Sequence, residues 1–539
     1  MNHLLLLGDE AIAQAAIDAG MSGIYAYPGT PSTEITEYVQ ASPQARQKHI
    51  RSDWSANEKT AMEAALGMSY AGKRTMVCMK HVGLNVAADA FVNSAITGVN
   101  GGLIITVADD PSMHSSQNEQ DSRFFGKFAM VPVFEPSNQQ EAYNMVFDAF
   151  ELSEKLAVPV LMRITTRLAH SRSSITQKPS LEQNEASLPK DSKQYILLPA
   201  IARKRYHSLL GKQDEMEKAA ATSPYNEYYD GKDKTLGIIT CGLAYNYLME
   251  NFVSEKPANP VLKICQYPIP RAFVNKIYNE CERILVIEEG YPFLEEQLRG
   301  FLDNGKEILG RMDRVLPREG ELNPDLVLQA LTGESKSTFQ TPELMVNRPP
   351  ALCKGCGHVD VYHALNEAIE EYGKGRVFSD IGCYTLGALP PFDSINSCVD
   401  MGASITMAKG AADAGLDPSV CVIGDSTFTH SGMTGLLDAV LENTPMTVII
   451  SDNSTTGMTG GQKSSATGRL EQICEGIGVD PAHIRTFVPL KKNHDDNVQV
   501  LKEEFLYKGV SVVIARRECI QTAARRKKQE KKLKELENQ

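Results

Sequence analysis

The chain has 539 residues, more than one hydrophobic core supports, so two to four domains are expected. Its 42% hydrophobic and 23% charged residues are those of a folded globular protein and exclude disorder over most of the length. A formal net charge of −12 argues against a general affinity for nucleic acid or anionic membranes, because both need a positive surface field.

The start, Met1-Asn2-His3 followed by Leu4–Leu7 and then Gly8-Asp9-Glu10, is too short and too soon acidic for a signal peptide. No stretch reaches the ~20 apolar residues of a transmembrane helix. Eleven cysteines without a secretory signal point to a reducing cytoplasm, where thiols serve metal ligation, catalysis or packing.

In chain order, Leu4–Leu7 reads as a strand, Asp9–Ala19 as a helix closed by Gly20, and Ile24–Tyr27 as a strand ending in the turn Pro28-Gly29-Thr30-Pro31. Thr30 is placed as N-cap of the next helix with Pro31 at its first position. The apolar runs Thr75–Met79, Leu103–Val107 and Val158–Ile164 continue the alternation, which implies a parallel α/β sheet. A polar stretch from about Ser171 to Lys234 reads as a long connection. A second unit begins at Leu236, has a strand Ile284–Ile287 and fades near Leu331; Gly333–Pro350 reads as a linker. The third unit predicts a helix over Val359–Tyr372, strands at Arg376–Ser379, Val420–Ile423, Met446–Ser451 and Val510–Ala515, and a helix over Gly432–Glu442. The basic C-terminus, Arg525 through Lys534 with Glu530, Glu535, Leu533 and Leu536 interleaved, predicts an exposed charged helix, solvated or in contact with an oligomer partner.

In the third unit one strand runs into Gly424-Asp425-Ser426 and the next ends at Asp452-Asn453. Parallel strands joined by a right-handed crossover end on the same sheet edge, so Asp425 and Asn453 converge although 28 positions apart. Their hard oxygens suit Mg²⁺ with phosphate co-ligands, and Gly424 lets backbone approach a diphosphate. The pattern resembles the thiamine-diphosphate signature Gly-Asp-Gly…Asn-Asn, with Ser426 and Asp452 replacing one glycine and one asparagine. That resemblance implies Mg²⁺ ligation by Asp425, Asn453 and the carbonyl of Thr455. It also calls for a carboxyl against the cofactor's aminopyrimidine, borne on the first turn of a helix rich in small residues with a glycine nine positions on; Glu58 and Gly67 match. Such sites form across domain or subunit interfaces, so a dimer of this chain is expected.

Longer stretches resemble the large subunit of indolepyruvate:ferredoxin oxidoreductases: Tyr27-Pro28-Gly29-Thr30-Pro31-Ser32, Trp54 through Glu58, Met79 through Asn85, Asp109 through Asn118, and Asp452-Asn453-Ser454-Thr455-Thr456. The resemblance implies an α/β fold of three doubly wound units. A pyrimidine-binding thiamine domain (1–175) and a diphosphate-binding one (336–520) flank a transketolase C-terminal-like domain (235–335), with a linker (176–234) and a basic tail (521–539). It places substrate at Thr30, and Arg123, Lys80 and His81 are further candidates for the pocket.

Cys353 and Cys356 in Leu352-Cys353-Lys354-Gly355-Cys356, Cys383 after Gly382, and Cys519 after the final strand offer four thiolates for a [4Fe–4S] cluster. In 2-oxo-acid:ferredoxin oxidoreductases similar positions hold the cluster beside thiamine; a Cys₄ zinc site and unligated thiols are the alternatives. Cys78, Cys241, Cys265, Cys281, Cys398, Cys421 and Cys474 read as small core residues. The sequence ends in the basic helix where the family carries cysteine-rich ferredoxin runs. The implied activity is oxidative decarboxylation of aryl or related 2-oxo acids with coenzyme A, with electrons passed to ferredoxin. The implied assembly joins a smaller subunit to a homodimer of this chain in a heterotetramer. A non-redox thiamine decarboxylase or carboligase is the alternative, and a silent scaffold is countered by the presence of Glu58, Asp425 and Asn453.

Overall fold

In the computed structural model, residues 3–189, 191, 194–252, 256–300, 305–317, 319–333, 345, 350–398 and 401–537 are described. The linker expected at Gly333–Pro350 lies almost wholly outside them. The chain divides into two compact units, Met1–Thr341 and Pro342–Gln539.

The first unit holds a seven-stranded sheet in the order Gln266–Tyr267, Val133–Phe134, Val160–Thr165, Leu103–Asp109, Thr75–Lys80, Gly23–Ala26, Arg51–Trp54. All pairings are parallel except that of Gln266–Tyr267. The central strands Thr75–Lys80 and Leu103–Asp109 are buried throughout and largely apolar because both faces are covered. Met76, Cys78 and Ile104 pack into one core, and the alternating Val77, Met79 and Ile105 into the other. Each fully buried Ile or Val of this kind stabilises by roughly 1.5–3 kcal/mol.

A five-stranded sheet shares the unit, ordered Ile308–Leu309, Arg283–Ile287, Leu236–Cys241, Val261–Ile264, Glu227–Tyr229, with the last strand antiparallel. Three local readings change. His3–Leu7 does not enter the parallel sheet but forms an antiparallel ribbon with Arg172–Thr176. The polar stretch before Lys234 holds helices Pro199–Gly211 and Gln213–Ala221 as well as the edge strand Glu227–Tyr229. The helix after the Pro28 turn begins at Thr33 with Ser32 as N-cap, because the Ser32 hydroxyl and N–H both bond back to the Gly29 carbonyl, at 2.8 and 2.9 Å.

The second unit carries an all-parallel sheet, Val377–Ser379, Val420–Gly424, Met446–Asp452, Val510–Arg516, Ile484–Phe487. Val420 and Val422 face one core, Cys421 and Ile423 the other. The closing helix Ile520–Glu537 is exposed from Ala524 to Lys532. Among the described residues no helix is long and apolar enough to cross a membrane.

Candidate active site

In the first unit the candidate residues gather where strand Thr75–Lys80 ends and helix His81–Thr97 begins. Glu58 opens the helix Glu58–Tyr70, whose N-cap Asn57 accepts the Thr60 N–H at 2.8 Å. Its side chain is buried against helix His81–Thr97: a Cβ on Gly83 would meet Glu58 Oε1 at 2.6 Å, so glycine there leaves room for the carboxyl. Gly67 faces open space, with nothing within 4 Å of an added Cβ.

Lys80 is 8% exposed, and its Nζ donates to the Ser115 carbonyl at 2.6 Å. Burial pulls its ammonium down to about 8, against the opposing pull of Asp110. The Ser115 hydroxyl donates to the Thr30 carbonyl at 3.2 Å, and Gly29 packs with its Cβ position 3.4 Å from Lys80 Cβ. The Pro28 turn thus lies over Lys80. His81 is buried beside Asn118, its Nε2 3.2 Å from the Asn118 carbonyl, and Nδ1 has no hydrogen-bond partner among the described residues.

Arg123 is engaged differently. It is 0% exposed and ties the two sheets of this unit together: its Nε and Nη2 donate to Asp121, Nη1 lies 3.1 Å from Glu288 Oε2, and Nη2 reaches the Tyr291 carbonyl at 3.0 Å. Arg163 joins Asp109 and Glu135 in the same network. Every guanidinium nitrogen is engaged within the protein, which gives Arg123 a structural role in this unit.

In the second unit Gly424 and Ser451 are register partners on adjacent parallel strands, which brings Asp425 next to Asn453. Asp425 is 1% exposed, its Oδ2 has no hydrogen-bond partner among the described residues, and burial pushes its carboxyl up to about 7. A buried carboxylate oxygen without a donor is what a cation ligand looks like before the cation arrives. Asn453 Oδ1 accepts the Thr455 N–H at 3.1 Å through a turn whose Ser454 has φ 60°, so the chain doubles back beneath Asn453. Ser426 Oγ lies 2.9 Å from Thr456 Oγ1, joining the two loops. Gly424 packs against Tyr384, whose Cε1 would lie 2.6 Å from an added Cβ; here the glycine accommodates a ring.

One cavity in this unit is lined by Cys353, Cys356, Cys383 and Cys519 together with His358 and Asn453. Burial raises the Cys383 thiol to about 12, with Cys356, Cys519 and Cys353 each adding to the shift, so the four sulfurs are mutual neighbours although 166 positions separate the first from the last. Burial and the nearby Cys353 and Cys519 also raise Cys356. His358 was not among the candidates. Its Nε2 lies 3.4 Å from Asn453 Nδ2, and burial pulls it down to about 4, so it stays neutral. Its place directly after Cys356-Gly357 was the available signal. Of the seven cysteines assigned to packing, six are buried, while Cys398 is exposed.

Two segments match thiamine diphosphate families. Residues 14–229 match the thiamine diphosphate-binding domain of pyruvate flavodoxin/ferredoxin oxidoreductase, and residues 380–514 the C-terminal thiamine pyrophosphate-binding domain of thiamine pyrophosphate enzymes. Fold and site therefore define a thiamine diphosphate-dependent 2-oxo-acid oxidoreductase subunit. More narrowly, the chain belongs to the family of indolepyruvate oxidoreductase subunit IorA. It is 37% identical to the Archaeoglobus fulgidus member over 98% of this chain and 88% of that one, and 36% identical to that of Methanothermobacter thermautotrophicus over 96% and 87%. A 2-oxoglutarate:ferredoxin oxidoreductase from Magnetococcus marinus, solved with 2-oxoglutarate, coenzyme A and succinyl-CoA bound, shares the fold. Its TM-score is 0.50 at 17% identity, over 62% of this chain and 65% of that one.

Proposed function

We propose that this chain is the catalytic subunit that oxidatively decarboxylates aryl 2-oxo acids of the indolepyruvate kind, with coenzyme A as acyl acceptor and ferredoxin as electron acceptor. The observation that carries the redox reading is the cavity shared by Cys353, Cys356, Cys383, Cys519 and Asn453. It puts four potential cluster ligands beside a residue of the diphosphate signature.

Asp425 and Asn453 supply oxygens for Mg²⁺ with the Thr455 carbonyl, and the orphaned Asp425 Oδ2 fits that role. Gly424 and Ser426, in the same loop, would border the diphosphate. Bound thiamine diphosphate supplies a carbon nucleophile for the 2-oxo group and a place for the electron pair left when CO₂ departs. Glu58, buried against the helix bearing Gly83, holds and passes a proton at its carboxyl oxygens toward the pyrimidine ring nitrogen. Protonated Lys80 pairs with the substrate carboxylate, and Thr30 and His81 orient it. A cluster held by the quartet would supply a one-electron acceptor. The pyrimidine half belongs to the first unit and the diphosphate half to the second. Two copies of the chain and a smaller subunit complete the enzyme.

The test is an anaerobic assay of the chain with its smaller subunit, an aryl 2-oxo acid, coenzyme A and a one-electron dye. Dye reduction that depends on thiamine diphosphate is expected; aldehyde released without dye reduction would instead support the non-redox decarboxylase.

A further inference from the structure

Three ligand-type side chains meet in the first unit without any part in the chemistry above. Asp9 lies in the first turn of helix Gly8–Asp18, Glu34 in the first turn of Thr33–Ala41, and His170 closes Thr166–His170. One oxygen from each carboxylate and one imidazole nitrogen lie within 4.8 Å of one another, with Glu34 Oε1 3.7 Å from His170 Nε2.

Convergence alone would be weak, since acidic groups often cluster at helix starts. Asp9 supplies a separate observation. It is 0% exposed, and neither carboxylate oxygen has a hydrogen-bond partner among the described residues. Glu34 Oε2 is also buried without one. A buried carboxylate is ordinarily satisfied by several donors or by a metal.

We propose that Asp9, Glu34 and His170 bind one first-row divalent transition cation, with water completing its shell. Two carboxylate oxygens and one imidazole nitrogen suit Mn²⁺, Fe²⁺ or Zn²⁺, whereas Mg²⁺ and Ca²⁺ favour all-oxygen sets. Ligand atoms ~2.1 Å from such an ion lie roughly 3–4 Å apart. Small rotations of Glu34 and His170, whose side chains are 35% and 38% exposed, close the set around fixed Asp9 and leave a path for the ion and its waters. The ion would pin the helix that follows the Thr30 turn to the N-terminus of helix Gly8–Asp18. That the pinning orients a substrate turn rests on the reading of Thr30; the site itself does not.

The experiment titrates Mn²⁺ into the full chain, stripped with EDTA and free of thiamine diphosphate, and follows free Mn²⁺ by electron paramagnetic resonance. Carboxylate and imidazole hold Mn²⁺ better than thiolates do, which keeps the cysteine cavity out of the readout. One Mn²⁺ per chain is expected, held at least about tenfold more weakly in Glu34→Gln and in His170→Ala, and unchanged in Asp425→Ala and Cys353→Ser. Wild-type Tm should rise on adding Mn²⁺, and Tm of the first two variants should not. Both replaced side chains are partly exposed, so folding should survive, and circular dichroism checks it. Asp9→Asn, nearly isosteric, should also lose Mn²⁺ while its metal-free Tm holds or rises. Failure of the wild-type chain to bind Mn²⁺, or equal binding in Glu34→Gln and His170→Ala, overturns the site.

Discussion

The backbone N–H of Cys519 donates to the carbonyl oxygen of Asn453 at 3.1 Å. One hydrogen bond thus joins the loop after the last strand to the loop bearing a diphosphate-signature residue, and fixes how a cysteine remote in sequence approaches Cys353 and Cys356. Because the bond is made by backbone, Cys519→Ser removes the thiolate and keeps the loop. Anaerobically prepared wild-type chain should carry about four irons, and Cys519→Ser should lose most of them, while thiamine diphosphate affinity by calorimetry stays within about twofold. Full iron content in the variant would remove Cys519 from the ligand set.

Lys80 gives the account a pH dependence. Its ammonium titrates near 8 in the folded protein, so it is charged below that value and loses its proton as pH rises through it. Attraction for a substrate carboxylate should follow the same course: kcat/KM for the 2-oxo acid should be highest below pH 8 and fall above it, by up to about tenfold per unit. Lys80→Met should have a low kcat/KM that lacks this limb. A limb unchanged in Lys80→Met would assign it to another group.

Arg123 separates a structural from a binding role. Arg123→Met would leave Glu288 buried without its cation and Asp121 with only the more distant Arg163, at 3.5 Å, a loss of roughly 3–5 kcal/mol. The urea midpoint of the full chain should drop clearly, whereas KM of the folded variant for the 2-oxo acid should remain within about twofold. A large rise in KM with little change in the midpoint would restore Arg123 to the substrate pocket.

The parallel sheets were legible because strands buried on both faces read as unbroken apolar runs, and Val420–Gly424 and Met446–Asp452 differ from their expected bounds by one residue. Asp425 and Asn453 were legible for a related reason, since parallel neighbours must end on one edge. Other features depend on partners distant in sequence. Leu4–Leu7 has a strand pattern, but only the antiparallel pairing with Arg172–Thr176 decides its sheet. Arg123 stands near a charged loop in sequence, and its buried fate is set by Glu288 and Tyr291, more than 160 positions away. The helix start at Thr33 instead of Pro31 turned on two bonds from Ser32 to one carbonyl, which compete locally with capping by Thr30. Asp9, Glu34 and His170 share no motif, so their convergence could not be read from spacing.

On the proposed reading, electrons from a 2-oxo acid reach a cluster held by the cysteine cavity, in a reaction that needs the Glu58 carboxyl. The most direct measurement is freeze-quench electron paramagnetic resonance of the anaerobic chain with its smaller subunit, thiamine diphosphate and Mg²⁺, mixed with an aryl 2-oxo acid and no external acceptor. A reduced iron–sulfur signal is expected within the first turnover in the wild type. In Glu58→Gln, iron content should be unchanged and the signal should develop at least about a hundredfold more slowly. Wild-type protein that consumes the 2-oxo acid without any reduced-cluster signal, or a Glu58→Gln variant that reduces the cluster at the wild-type rate, would contradict it.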